Sequence, residues 1–197
     1  MRQMKILIII ICIPLLTACQ ALPRHTDAAD EAILRTIALG REGERMILIA
    51  ATGGEQSGEE TQPPEVDTGE GTDYASARDD LKEKRQASLV HVTDWVVEPD
   101  ALPDALAAFV ADPELTYSAR IYVLRDQTAR AFMDAFDGEN PAVKALEDLD
   151  RAREERGVTV LELSADLAAG RPVSVPLLVA EDGTVEVRGE MEIGAWR

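Results

Sequence analysis

The chain has 197 residues, with 37 acidic against 20 basic side chains and a formal net charge of -17. A surface of that sign repels nucleic acid and anionic lipid headgroups, so binding to either by charge is excluded. Two cysteines and two histidines, His25 and His91, are too few for a thiolate or His-rich zinc centre, and no D-x-D-x-D-G loop marks a calcium site.

The chain opens MRQMKILIIIICIPLLTAC, in which Arg2 and Lys5 form a positive leader and Ile6 to Leu16 an apolar run too short to remain as a spanning helix. This is the pattern of a signal peptide over residues 1–18. It ends in Leu16-Thr17-Ala18-Cys19, where small residues suit a peptidase pocket and the cysteine sulfur is the atom that receives the lipid. The four residues resemble the bacterial lipobox, which predicts cleavage between Ala18 and Cys19 and acylation of Cys19. Two or more acyl chains hold a protein firmly, at about 0.8 kcal/mol for each buried CH₂. Processing removes Arg2 and Lys5 and takes the net charge from -17 to -19. It also removes Cys12, so the mature chain is expected to hold no disulfide.

Residues 19–31 contain Pro23 and mostly polar side chains, and read as a tether leading into one domain over 32–197. The apolar runs AILRTIAL and RMILIAA, joined by Gly40 to Glu44, predict a β-hairpin. Residues 52–72, dense in Gly, Glu, Pro and Thr with Val66 as the one aliphatic side chain, bury too little to offset their ordering entropy and read as a mobile acidic loop. Tyr74, Ala77 and Leu81 then recur at helical spacing, and SLVHVTDWVV reads as a central strand carrying His91.

A helix over ALPDALAAFVAD is expected to stop at Pro113, and RIYVLR is a second internal strand. Asp126 is placed to cap a short helix, Asn140-Pro141 to start a longer one ending at Gly157, and Thr159 to cap a third ending at Gly170. Two last strands flank the turn Asp182-Gly183, with Pro176 pushing its strand toward an edge. The order β-β, loop, α-β-α-β-α-α-α, β-β predicts a single α+β domain on a mixed sheet.

No G-x-S-x-G, Walker loop, H-E-x-x-H or G-x-G-x-x-G is present, so no nucleotide, cofactor or metal is expected. The acid pairs Asp79-Asp80, Glu154-Glu155 and Glu181-Asp182 fall on solvent-facing turns and helix faces, and His91 has no nucleophile beside it. Trp95 and Trp196 read as packing residues. The expectation is a protein that is not an enzyme.

The succession of landmarks resembles the amino-terminal domain of the Ger(x)C spore-germination lipoproteins, the C subunits of germinant receptors. The landmarks are the lipobox cysteine, a hairpin holding Leu39-Gly40, a polar loop, and a helix leading to LVHV with His91. Then follow Asp112-Pro113-Glu114, the strand IYVL with a short Ala-rich helix, VTVLELSADLAAG, the strand with Pro176, and VEVRGEMEI. The resemblance implies a non-catalytic lipoprotein on the extracytoplasmic face of the spore inner membrane, beside membrane-embedded receptor subunits, acting in assembly or signalling. Apart from that family, the residues fit an envelope lipoprotein that binds a ligand or another protein.

Overall fold

The computed structural model describes residues 33–52, 56–57, 60–61, 65–85, 88–112, 114–136, 141–152 and 158–194. The predicted signal peptide, Cys19 and the tether lie outside these, as do His25, Glu154-Glu155, Gly157 and Trp196. Residues 32–197 group as one compact unit.

The strands are β1 (Leu34–Glu42), β2 (Arg45–Thr52), β3 (Gln56–Ser57), β4 (Glu60–Thr61), β5 (Val66–Gly71), β6 (Asp94–Val97), β7 (Arg120–Leu124), β8 (Val158–Thr159), β9 (Val173–Glu181) and β10 (Thr184–Ile193). The helices are α1 (Tyr74–Arg85), α2 (Leu102–Ala111), α3 (Ala129–Asp134), α4 (Ala142–Ala152) and α5 (Val160–Ala168). The fold is α+β, on a mixed sheet ordered β10-β9-β7-β6-β1-β2-β5. Strands β1, β6, β7 and β9 run parallel, and antiparallel strands complete both flanks.

The parallel strands are covered on both faces, which is why β6 and β7 read as continuous apolar runs instead of alternating. On one face Trp95, Leu39, Ile121 and Val123 pack beneath α1, α2 and α5. Trp95 meets the edge of Phe109 at 5.2 Å between ring centres and tilts against Tyr74 at 6.3 Å. On the other face Val96, Tyr122, Leu124 and Leu178 lie under α3 and α4, with Phe132 set edge-on to Phe136. The chain advances β1 to β6 to β7 to β9 in one direction across the sheet. Of the helices between these strands, α1, α2 and α5 lie on one face, and α3 and α4, both between β7 and β9, on the other.

Local chemistry fixes the ends of these elements. Gly43, at φ +64, opens the two-residue turn of the first hairpin, and Asp182 and Gly183, at φ 50 and 74, have the paired positive φ of a type I′ turn in the last. Thr159 and Glu162 form a reciprocal capping box on α5, which closes at Gly170, φ +74.

Four expectations need correction. The segment 52–72 is not loop throughout: Val66–Gly71 is the edge strand β5, paired along β2, and a small hairpin, β3 with β4, precedes it. Its glycines are what let α1 lie against it, because a Cβ on Gly69 would stand 2.2 Å from the Ala77 carbonyl and 2.6 Å from Leu81 Cβ. His91 is not in a strand. Leu89–His91 is a 3-10 turn capped by Ser88, because Leu89 and Val92 both turn into the same core and strand alternation cannot satisfy them; β6 begins only at Asp94. Asp126 sits at φ 55 in the preceding turn, and the cap of α3 is Thr128, whose Oγ1 accepts from the Ala131 amide. Pro176 does not place β9 at an edge. That strand lies between β7 and β10, and Pro176 falls just before its contact with β7 begins at Leu177, where no ladder amide is required of it.

The fit of α1 on β5 gives a direct test. Gly69→Ala should lower stability by about 2 kcal/mol through overpacking, whereas Gly194→Ala, with open space around its Cβ, should stay within about 0.5 kcal/mol. Urea denaturation of both variants measures the difference.

Candidate functional site

Open parallel sheets bind ligands beyond the carboxyl ends of their strands. At that end, β6 leads directly into Glu98, a residue only 8% exposed. Its Oε1 accepts from the Ala129 amide at 2.5 Å and its Oε2 from the Arg41 amide at 3.1 Å. The Ala129 amide is the first of α3, so the carboxylate also neutralises the positive end of that helix. Gly40 leaves the room: a Cβ there would fall 2.1 Å from Glu98 Oε1. Arg41 pairs with Asp104, and Arg130 donates to Glu42 at 2.6 Å, which holds the Glu42 carboxyl below its usual range. Gln127 extends the same closure, donating to the Ala180 carbonyl at 2.6 Å and accepting its amide at 2.9 Å. The crevice of the sheet is therefore filled by the protein's own groups.

A groove of about 400 Å³ runs between α1 and α2, floored by Ala107, Ala108 and Ala111 and walled by Tyr74, Arg78 and Asp104. Three of its polar groups, Tyr74, Arg78 and Asp112, are bound to one another. Buried Asp112 accepts from Arg78 Nη1 at 2.7 Å and from the Tyr74 hydroxyl at 3.4 Å, and its Oδ1 takes the Glu114 amide at 3.0 Å. Burial, followed by the neighbouring Asp112 charge, drives the Tyr74 phenol well above its ordinary value. A second hollow of about 360 Å³ lies between α4 and the β9–β10 turn, lined by Lys144, Asp148, Leu149 and Thr184 among others.

At the opposite, amino end of the parallel strands, Thr36, Asp94 and Arg120 stand in register across β1, β6 and β7. Asp94 Oδ2 accepts from Thr93 Oγ1 at 2.7 Å, while Oδ1 lies 3.8 Å from Arg120 Nε and, like Thr36 Oγ1, has no hydrogen-bond partner. From α4, Asp150 pairs with Arg120 and accepts from the Tyr122 hydroxyl at 3.0 Å, and Glu147 faces Arg35 at 3.6 Å. Burial raises the Asp94 pKa, against the opposing pull of Thr93, Arg120 and Arg35.

The residues singled out from sequence are not brought together. His91 is exposed at the end of its 3-10 turn, Asp79-Asp80 and Glu181-Asp182 lie on surface segments, and Trp95 is buried in the core. Cys19 and Ala18 fall outside the described residues. Among those residues no group of three or more His, Cys, Asp or Glu is placed to hold a metal ion. No helix among them is long and apolar enough to cross a membrane. Glu98 and Asp94 escaped sequence reading, since an isolated acid beside Pro99 or at a strand start carries no local signal of burial.

No family model, curated protein or solved structure matches the chain.

Two substitutions probe the two ends of the sheet. Glu98→Gln turns an amide N–H₂ toward a backbone N–H and should cost about 2 kcal/mol of unfolding free energy, read by urea denaturation. Asp94→Asn tests a sign. With its native pKa raised, Asp94 holds more protons folded than unfolded between the unfolded pKa of about 4 and the native pKa, so its contribution to stability is lost as pH rises through the native pKa. The Asn variant should accordingly exceed the parent protein in stability at pH 7, with the gap closing near pH 3, in thermal melts across that range.

Proposed function

We propose that the protein is a lipid-anchored binding module of the cell envelope, attached through Cys19 and acting without catalysis. The observation that carries this reading is the positive leader, apolar run and Leu16-Thr17-Ala18-Cys19 ending, followed by a separate compact unit from residue 32. The structure supports the non-catalytic part in a positive way. The buried carboxylate of Glu98 is spent on two backbone amides and that of Asp112 on the Glu114 amide, Tyr74 and Arg78, while Asp94 sits under α4 beside Arg120.

The resemblance to Ger(x)C proteins gives the proposal its specific form, a C-type subunit of a spore germinant receptor working beside membrane-embedded subunits. One observation favours the broader reading of an envelope lipoprotein unconnected with germination. The family has Trp-Asp after its lipid cysteine and Gly-x-Asp at the first hairpin turn, where this chain has Gln20-Ala21 and Gly40-Arg41-Glu42.

Cys19→Ala should abolish acylation and move more than nine-tenths of the protein out of the membrane fraction, measured by mass spectrometry of the amino-terminal peptide and by fractionation. A protein that stays in the membrane without an acyl group overturns the anchor. For the receptor form, production confined to sporulation, co-purification with multi-span subunits and slowed nutrient germination in a deletion strain are expected; production in growing cells with normal germination leaves the broader reading.

A further inference from the structure

We infer that the pole of the domain where the parallel strands begin rests on the surface of the bilayer to which the chain is anchored, an inference that stands on the Cys19 lipid reading. Because β1, β6 and β7 are parallel, the segments that precede them all arrive at one end of the sheet. Those segments carry large apolar side chains that solvent reaches: Ile33 is 38% exposed, Val90 47% and Tyr117 48%. Leu161, in the first turn of α5, is 58% exposed and joins them.

Hydrogen bonds tie the four into one neighbourhood. Ile33 bridges to Ser88, two residues before Val90. Thr116 Oγ1 donates to the Val90 carbonyl, and the Leu161 amide donates to the Tyr117 carbonyl at 3.0 Å. Among the described residues, the other exposed large apolar side chains, Val66 and Val110, belong to β5 and α2. Tyrosine among aliphatic side chains is the composition that suits the boundary between headgroups and acyl chains, one end apolar and the other wet.

Chain length decides the occupant. Ile33 is both a member of the cluster and the point at which the chain reaches the domain, fourteen residues after Cys19. Fourteen residues span at most about 50 Å, so the lipid keeps this pole within that distance of the bilayer. A weak apolar contact then suffices, because anchoring sets a high effective concentration. With a net charge of -19 after processing, the rest of the molecule gains nothing from headgroup charge, and contact falls to the apolar residues.

The mature sequence has no cysteine after Cys19, so a single thiol can be placed for an environment-sensitive fluorophore. Lipidated protein carrying Tyr117→Cys or, at the opposite end of the sheet, Glu44→Cys would be labelled and bound to phosphatidylcholine vesicles. The expected result is a blue-shifted emission and at least threefold weaker quenching by aqueous iodide for the label at 117 than for that at 44. Equal quenching at both sites in protein that floats with the vesicles overturns the inference, as does shielding at 117 that grows with protein density at fixed lipid, which marks a second copy as the occupant. Protein that fails to float overturns the anchor reading and this inference with it.

Discussion

At the carboxyl end of the sheet, β6, the first hairpin and the starts of α2 and α3 are tied to one residue, Glu98. Glu98 follows β6 and its own amide donates to the Leu39 carbonyl at 2.8 Å, continuing the pairing with β1 by one residue. Its side chain then takes the amides of Arg41 and Ala129, and its carbonyl takes that of Ala101 at the entry to α2. A strand end, a hairpin arm and the starts of two helices on opposite faces of the sheet are thereby fixed to one residue. The arrangement works only because Gly40 lacks a Cβ. Buried charge is costly when unpaired, but a carboxylate that accepts two backbone amides at a helix start replaces its lost water with oriented donors.

The amino end of the sheet is held differently. The row Thr36, Asp94 and Arg120 is a polar strip laid across three strands that are otherwise apolar, and α4 covers it with Asp150 and Glu147. An ion cluster of this kind contributes less to stability than to arrangement, since desolvation offsets much of the attraction. What it specifies is the position of α4: Tyr122 and Arg120, two residues apart on β7, both reach Asp150, so sliding the helix by one turn would strand both. Apolar packing by Leu146 and Val143 alone would tolerate such a slip.

Much of this fold is legible in the sequence wherever the signal is local. Gly43 and Asp182-Gly183 mark the first and last hairpins by backbone chemistry, Thr159 with Glu162 marks the start of α5, and the runs WVV and IYVL mark strands buried on two faces. Reading fails where the deciding partner is distant. β5 looks like slack because its glycines are judged alone, and only the helix lying on Gly69 explains them. Glu98 is an ordinary acid until Gly40 and Ala129 arrive beside it. Leu89 and Val92 mimic strand alternation in a segment whose geometry is set by two apolar side chains seeking one core. At the proposed anchor the balance is reversed, since Leu16 to Cys19 is wholly local and needs no tertiary context.

These features bear on where the molecule can act. The crevice at which a parallel sheet ordinarily accepts a ligand is occupied by Glu98, Gln127 and the Arg41–Asp104 pair, and the strip at the other end lies beneath α4. The Glu98 brace joins elements on both faces of the sheet, whereas the strip at the amino end ties α4 to one face. The domain's useful chemistry is then displayed on the outside: an acidic surface, a shallow groove over the small residues of α2, and apolar side chains gathered where the chain enters. Under the proposed anchor at Cys19, these apolar side chains lie at the pole where the chain reaches the domain, while the acidic residues are spread over the surface around the whole sheet.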